Sequence, residues 1–354
     1  MPKAPVLQIF AALVLMACLA VPLPALAQAL PRLAGPDQNQ DKDQEKDQTE
    51  DQSVSTLKVN VDVVQLFFNV KDKKGALIPN LTKDDFEVFE DGKPQTIKYF
   101  SAESNLPLTL GILIDSSGSQ MRVLDMEKQV GGDFLSQILR EKDLAFVIGF
   151  DVNVDLLQDF TNSVHSLKAG LDRARINAPP SGGGGIPGLG GGPVPTASAP
   201  RGTLLYDAVY LASHDELAQQ VGRKAMILLT DGEDQGSQLK IKDAIEAAQK
   251  SDSIAYVLLC ADRGFYGGFG YSGDSAMKKL TQETGGRLIE VGNKFDKLKQ
   301  GFDQIAHELR SQYNIGYVPT NTKRDGTFRK VEIRSKNGYK IQARTGYFAV
   351  ASRD

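Results

Sequence analysis

Oxygen-bearing side chains follow a buried strand in the first half of the chain, at a spacing that suits a metal ion. The run Leu108–Ile114 is largely apolar and leads directly into Asp115, Ser117 and Ser119. A carboxylate and two hydroxyls at alternate positions are hard oxygen donors, which a hard divalent cation such as Mg²⁺ prefers. A phosphate-binding turn at this place would be rich in glycine, so the pattern favours a cation site over a nucleotide site.

Two more oxygen donors follow other predicted elements. Asp231 comes after the apolar run 224–229, and Thr203 begins a predicted helix behind a glycine-rich segment. In open α/β sheets, ligands bind beyond the carboxyl ends of the strands. We therefore expect the three loops that carry Asp115, Thr203 and Asp231 to meet at one edge of a sheet.

The elements that must position these loops alternate between strands and helices. Strand-like apolar runs occupy residues 108–114, 144–150, 154–160, 224–229, 254–260 and 288–291. Helical spacing of apolar residues occupies 119–139, 164–176, 203–220, 240–251, 274–284 and 294–312. Near-continuous apolar strands indicate burial on both faces, as in a doubly wound α/β domain with a mainly parallel sheet. We assign this domain to residues 105–312.

The segments on either side of this domain have the period-two pattern of half-buried strands. Residues 54–104 contain an Asp91-Gly92 turn, and residues 313–354 contain an Asn337-Gly338 turn. Neither segment has enough strands to close a sandwich alone. We therefore expect the two flanks to pair in one small β-sandwich that carries the α/β domain as an insertion.

The first 27 residues have the layout of a secretory signal peptide. Lys3 precedes an apolar run from Val6 to about Val21, and Ala25-Leu26-Ala27 predicts cleavage after Ala27. A lipobox-like stretch ending at Cys18 leaves a lipid anchor as the alternative. An uncleaved membrane anchor is a further alternative, but Pro22 and Pro24 break a run that is already short of the roughly 20 apolar residues that span a bilayer. No other run approaches that length. We expect an exported protein that is periplasmic, extracellular or associated with the cell envelope, with no transmembrane segment after signal cleavage.

Residues 28–53 are predicted to be a disordered acidic linker. The part from Pro36 to Gln52 carries seven acidic and two basic residues and almost no apolar side chain. The whole chain has 41 Lys and Arg against 44 Asp and Glu, so the remainder is close to neutral. Nucleic-acid binding requires clustered Lys and Arg. We therefore expect no nucleic-acid partner.

Together the oxygen donors resemble the metal ion-dependent adhesion site of von Willebrand factor type A domains, and the resemblance covers the α/β domain. The matching positions are Asp115, Ser117, Ser119, Thr203 and Asp231. The flanks resemble a secreted, acidobacterial-type group of type A-related proteins through Leu81–Phe86, Glu90–Pro94 and Tyr313–Tyr317.

This resemblance implies protein binding through a cation and not catalysis. It makes the Ser117, Ser119 and Thr203 hydroxyls direct ligands of Mg²⁺, or of Mn²⁺ or Ca²⁺, while the two aspartates act mostly through water. An Asp or Glu carboxylate of a protein partner would then complete the metal shell. The interpretation that follows is a secreted, cation-dependent protein-binding module.

Two other interpretations stay open. One is a structural envelope protein whose metal only braces the loops, and the other, less favoured, is a metal-dependent hydrolase. The sequence has no Gly-x-Ser-x-Gly elbow and no His-Glu-x-x-His motif. Its histidines, His165, His214 and His307, fall on amphipathic helices, and Cys260 ends an apolar run as a buried thiol would. No catalytic residue is therefore predicted.

Two unusual segments adjoin the predicted site. Pro179–Pro200 contains eight glycines and six prolines and reads as a flexible insertion before Thr203. The segment from Asp262 to Asp274 follows a predicted strand, so it belongs to the metal-bearing face. Exposed aromatic residues often anchor protein interfaces. We expect four such residues to contact a partner or, equally, to fold back over the domain: Phe265, Tyr266, Phe269 and Tyr271.

Overall fold

The computed structural model describes residues 63–102, 106–176, 202–261 and 273–349. The predicted signal peptide, acidic linker, glycine- and proline-rich segment and four aromatic residues lie outside these ranges. The strands are β1 (Val64–Lys71), β2 (Phe86–Glu90), β3 (Lys93–Gln95), β4 (Ile97–Ser101), β5 (Leu108–Asp115), β6 (Leu144–Phe150), β7 (Val154–Thr161), β8 (Arg223–Thr230), β9 (Ser253–Leu259), β10 (Arg287–Glu290), β11 (Tyr313–Tyr317), β12 (Phe328–Ser335), β13 (Lys340–Ala343) and β14 (Gly346–Phe348). The α-helices are α1 (Leu124–Ile138), α2 (Val164–Arg173), α3 (Leu205–Leu211), α4 (Ile241–Lys250), α5 (Gly273–Thr284) and α6 (Phe295–Arg310).

The largest sheet is six-stranded, with the order β10-β9-β8-β5-β6-β7. Its strands are parallel except for β7, which pairs antiparallel with β6 at one edge. Every residue of the central strand β5 is buried, because helices cover both faces of the sheet. One apolar cluster joins one face to α1, α2 and α6, and a second joins the opposite face to α3, α4 and α5. The predicted α/β layer with a mainly parallel sheet is confirmed.

Two smaller antiparallel sheets contain strands from both sides of this layer. Their strand orders are β13-β1-β11-β4 and β14-β12-β2-β3. One apolar cluster is shared by the two sheets, and at its centre the Phe68 ring lies 5.2 Å from the Phe86 ring and 5.6 Å from the Tyr313 ring. Strands at the two ends of the described chain therefore depend on each other for a core.

Two predicted helices differ from the structure at points that matter for the site. The helix predicted to begin at Ser119 begins at Leu124, because tight i to i+3 hydrogen bonds precede it: the Gln120 N–H donates to the Ser117 carbonyl over 3.0 Å. The helix predicted over 203–220 ends at Leu211 and continues as a π-helical turn and a 3₁₀ turn. In the described part of the chain, no helix is both long and apolar enough to cross a membrane.

A buried ionic cluster joins α6 to the antiparallel sheet that contains β1. The Glu308 side chain is 3% exposed and accepts hydrogen bonds from Lys71 over 2.6 Å, Arg287 over 2.8 Å and Gln342 over 2.9 Å. Asn69 also donates to the Glu308 carbonyl over 2.9 Å. Residues from β1, β10 and β13 thus converge on one carboxylate near the end of α6.

A second buried carboxylate, that of Asp143, lies at the edge of the parallel sheet opposite the predicted site. Asp143 accepts hydrogen bonds from the Leu108 and Arg140 N–H groups, over 2.9 Å and 3.0 Å, and from Arg310 over 2.6 Å. Burial alone would raise the pKa of Asp143, but these donors outweigh burial and lower it below the usual 3.8. A group with a lowered folded-state pKa contributes stability above its unfolded pKa and loses that contribution as the pH falls through the folded pKa.

Asp143→Asn should therefore destabilise the protein by about 1.5–3 kcal/mol at pH 7, the range for hydrogen bonds to a charged group. The difference from wild type should shrink as the pH falls from about 3.8 towards the lower folded-state pKa of Asp143, because over that interval the unfolded state takes up the proton first. Urea unfolding measured between pH 7 and pH 3 checks this result. A difference that does not change with pH would show that the Asp143 charge contributes nothing.

Candidate metal site

Asp115 is the last residue of β5 and lies at the carboxyl edge of the parallel sheet. Its side chain is completely buried, and its two oxygens accept hydrogen bonds from the Ser117 N–H over 2.9 Å and the Thr230 hydroxyl over 2.7 Å. The carboxylate therefore holds both the loop behind β5 and the end of the neighbouring strand β8.

Ser117 and Ser119 lie on the turn that follows Asp115. Their hydroxyl oxygens are 3.0 Å apart, and Ser117 is 8% exposed. The preceding residue, Ser116, donates its N–H to the Phe150 carbonyl at the end of β6 over 2.9 Å. The turn is thus tied to the adjacent strand, and two hydroxyls that could face one ion are neighbours.

The loop after β8 carries Asp231, which is 1% exposed. One Asp231 oxygen accepts the Glu233 N–H over 3.0 Å, and the Gly232 N–H donates to the Thr230 hydroxyl over 3.0 Å. Gly232 has φ of +83°, and a Cβ there would lie 2.8 Å from the Gly273 carbonyl oxygen. Glycine is required at this turn, because any side chain would meet the first residue of α5.

Thr203 is tied by backbone hydrogen bonds to the same region. Its carbonyl accepts the Gln235 N–H over 3.0 Å, and the next residue, Leu204, donates its N–H to the Asp151 carbonyl over 2.8 Å. Asp151 follows β6 and Gln235 lies in the loop that carries Asp231. The structure therefore brings the loops of all five predicted site residues to one edge of the sheet.

The charges at this edge fit a cation. Burial, followed by the charge of Asp231, raises the pKa of Asp115 to about 7, although hydrogen bonds from Ser117 and Thr230 oppose the shift. The principal groups that shift this pKa include no cationic side chain in the described part of the chain. Two buried carboxylates that interact unfavourably, beside neutral hydroxyls, form a donor set that suits a hard dication.

One buried acid near the site was missed by the sequence reasoning. Glu127 of α1 is completely buried, and its pKa is raised to about 8, first by burial and then by the charges of Asp115 and Asp231, while Cys260 opposes the shift. The sequence did offer a signal for this buried acid. A glutamate stands among the apolar inward positions of the predicted helix, between Leu124 and Val130. Thr230 was also missed, although it directly precedes Asp231.

Other predicted residues are placed as follows. Within the described ranges, His165, His214 and His307 are exposed, and Cys260 is fully buried. No group of three or more His, Cys, Asp and Glu side chains there is arranged to hold a metal. The aromatic residues Phe265, Tyr266, Phe269 and Tyr271 precede α5, whose first N–H, at Gly273, donates to Glu233 over 2.8 Å.

Comparisons with known proteins give distant structural likenesses. No protein-family model and no curated protein matches the chain. The conserved hypothetical protein BatB from Bacteroides thetaiotaomicron aligns with TM-score 0.41 and 18% identity, over 58% of this chain and 100% of that one. The PilB minor pilin from Streptococcus sanguinis aligns with TM-score 0.41 and 12% identity, over 59% of this chain and 62% of that one. The vWF domain of the type V pili tip protein Mfa5 from Porphyromonas gingivalis aligns with TM-score 0.28 and 18% identity, over 36% of this chain and 39% of that one. At these values the likenesses carry no argument about function, which rests on the site itself.

Proposed function

We propose that this chain is an exported, type A-like protein that binds a protein partner through a divalent cation, and that it is not an enzyme. One observation carries the proposal: two buried aspartates and two adjacent hydroxyls lie at the carboxyl edge of the parallel sheet. The proposed site consists of Asp115, Ser117, Ser119, Thr203 and Asp231, with Mg²⁺ as the ion and Mn²⁺ or Ca²⁺ as substitutes.

The hydrogen bonds of Asp115 and Asp231 support a division of roles among these residues. Both oxygens of Asp115 accept a protein hydrogen bond, as does one oxygen of Asp231. Carboxylates held in this way have lone pairs left to orient metal-bound water, while the hydroxyls of Ser117, Ser119 and Thr203 serve as direct ligands. Mg²⁺ commonly keeps several waters and few protein carboxylates.

A site of this composition would leave the cation electrophilic. Neutral hydroxyls and water neutralise little of its charge, so a hard anion from outside gains strongly by joining the shell. An Asp or Glu carboxylate of a partner protein is such an anion. The bound ion would supply the attraction for that carboxylate, and the chain's own residues would hold and orient the ion.

Calorimetric titration tests the cation, and affinity capture from the native envelope tests the partner. Mg²⁺ or Mn²⁺ should bind to the chelator-treated protein, and a protein should be captured with either ion but not with chelator. Cation binding with the same captured proteins in chelator would favour a metal that only braces the loops. No binding of any divalent cation would refute the proposal.

Thr203→Ala should weaken Mg²⁺ binding about tenfold with little loss of stability. The variant loses a hydroxyl but keeps the carbonyl that accepts the Gln235 N–H, so the loop stays anchored. Thr203→Ser restores a hydroxyl and should recover wild-type affinity. Calorimetry and thermal unfolding of the two variants measure both effects, and equal weakening by serine would show that the methyl group matters instead.

A further inference from the structure

Thr203 differs from the other residues of the proposed site in how it is held. Asp115 and the two serines follow β5, and Asp231 follows β8, so the parallel sheet positions them. Thr203 instead lies before α3, behind a stretch of sequence rich in glycine and proline. Its position relative to the rest of the site therefore depends on contacts between α3 and the β8–α4 loop, which is residues 231–240.

Asp207 of α3 and Ser237 of the β8–α4 loop hold each other's backbone. The Asp207 carboxylate accepts the Gln238 and Leu239 N–H groups, each over 3.0 Å. In return, the Ser237 hydroxyl oxygen accepts the Tyr206 N–H over 3.1 Å and the Asp207 N–H over 3.2 Å. The first N–H groups of a helix have no partner within the helix, so the loop satisfies them here. We call this reciprocal pair the Asp207–Ser237 clamp.

Neighbouring hydrogen bonds connect the clamp to Thr203. The Ser237 hydroxyl donates to Asp234 over 2.5 Å, which fixes its direction within the loop. The Gln235 N–H donates to the Thr203 carbonyl over 3.0 Å. A Cβ at Gly202 would lie 3.1 Å from the Gln235 carbonyl oxygen, so the two segments are in close contact there. The backbone before and after Thr203 is thus fixed against the loop that carries Asp231.

We propose that the Asp207–Ser237 clamp makes the cation site selective for Mg²⁺ over Ca²⁺, by fixing Thr203 relative to Asp231. The inference rests on the proposed function, in which Thr203 and Asp231 serve the same ion. Mg²⁺ demands nearly ideal octahedral geometry, whereas Ca²⁺ accepts a larger and more flexible shell of oxygens. A site whose parts cannot shift therefore favours Mg²⁺, and a site that loosens loses this preference. Asp207 and Ser237 are positioning residues, because they act on the backbone of the two segments.

Ser237→Ala opens the clamp, and Ser163→Ala is the matched control. Ser163 accepts the Ser166 N–H at the start of α2 over 3.3 Å, and α2 follows β7 at the opposite edge of the sheet. Calorimetric titration of the chelator-treated protein should give an Mg²⁺ affinity about tenfold lower for Ser237→Ala, as for groups that orient metal ligands. The Ca²⁺ affinity should change by less than about twofold, so the ratio of the two affinities falls at least about fivefold. Ser163→Ala should bind both ions like wild type.

Two further variants separate the clamp from a general loss of structure. Ser237→Thr keeps the hydroxyl and should recover the wild-type ratio of Mg²⁺ to Ca²⁺ affinity. Asp207→Asn replaces one of the two carboxylate acceptors with a donor, so it opens the clamp from the α3 side and should lower the ratio too. Hydrogen exchange in chelator needs no metal, and the Tyr206 and Asp207 amides should exchange faster in Ser237→Ala than in wild type.

The ratio of the two affinities decides the inference. Equal losses for Mg²⁺ and Ca²⁺ in Ser237→Ala and Asp207→Asn would indicate a general structural role and overturn it. Unchanged amide exchange in Ser237→Ala would also overturn it, because the clamp would not be holding the start of α3. If wild type bound neither ion, the proposed function would fail and this inference with it. Wild-type binding with a ratio that both clamp variants leave unchanged would overturn this inference alone.

Discussion

Replacing Asp115 with asparagine is expected to abolish cation binding while the protein stays folded. Asparagine keeps an acceptor for the Thr230 hydroxyl or the Ser117 N–H, but it removes the charge that would hold metal-bound water. The burial of Asp115 makes the choice of variant important. Asp115→Ala would leave both donors unsatisfied in the interior and cost about 1–3 kcal/mol of stability in addition to the site.

Calorimetric titration of Mg²⁺ measures the expected loss, which should exceed 100-fold in affinity. Asp143→Asn is the matched control, because Asp143 is a buried aspartate at the opposite edge of the same sheet. That variant should be less stable than wild type but should bind Mg²⁺ equally well. Retained Mg²⁺ affinity in Asp115→Asn would exclude this loop as the cation site.

Replacing Glu308 with alanine should cost about 3–5 kcal/mol of stability, the range for breaking a buried ion pair from one side. The change leaves Lys71, whose side chain is 11% exposed, without its carboxylate partner. Burial already lowers the pKa of Lys71, and Glu308 opposes that shift. It also removes the acceptor that Arg287 and Gln342 share. The loss should therefore appear in the antiparallel sheet as well as in α6.

Chemical denaturation and hydrogen exchange test this expectation together. Amides of β1 and β13 should exchange faster in Glu308→Ala, not only those of α6, because the carboxylate is bonded to both strands. Asp303→Ala is the control on the same helix, where an exposed pair with Lys299 should contribute at most about 1 kcal/mol. A loss for Glu308→Ala no greater than for Asp303→Ala would show that the cluster does not stabilise the junction.

The coarse fold could be predicted from the sequence because its signals are local. Apolar strands alternating with amphipathic helices predict a buried, mainly parallel sheet, and β5, β6 and β8 lie within a residue of their expected limits. Helix ends were less well predicted. The segment after Ser119 has helical spacing, yet tight turns precede α1, because the chain must first leave the edge of the sheet.

The candidate site could likewise be predicted only in part from the sequence. Asp115, Ser117 and Ser119 are visible in the sequence because they adjoin one strand end. The partnership of Asp115 with Thr230 is not visible, since it joins positions 115 residues apart. Binding of a cation by these residues stays a prediction for the titrations to test.

By itself, the sequence determined which residues are strands, which are helices and which loops carry hard oxygen donors, because periodicity and turn residues act over a few positions. Only the tertiary structure decided which buried polar groups find partners. Glu308 accepts a hydrogen bond from Lys71, which lies 237 residues away in the sequence, while the side-chain oxygens of the buried Glu127 have no hydrogen-bond partner among the described residues. Desolvation makes an ionic group stabilising or costly according to its neighbours, and neighbours are set by packing between distant elements.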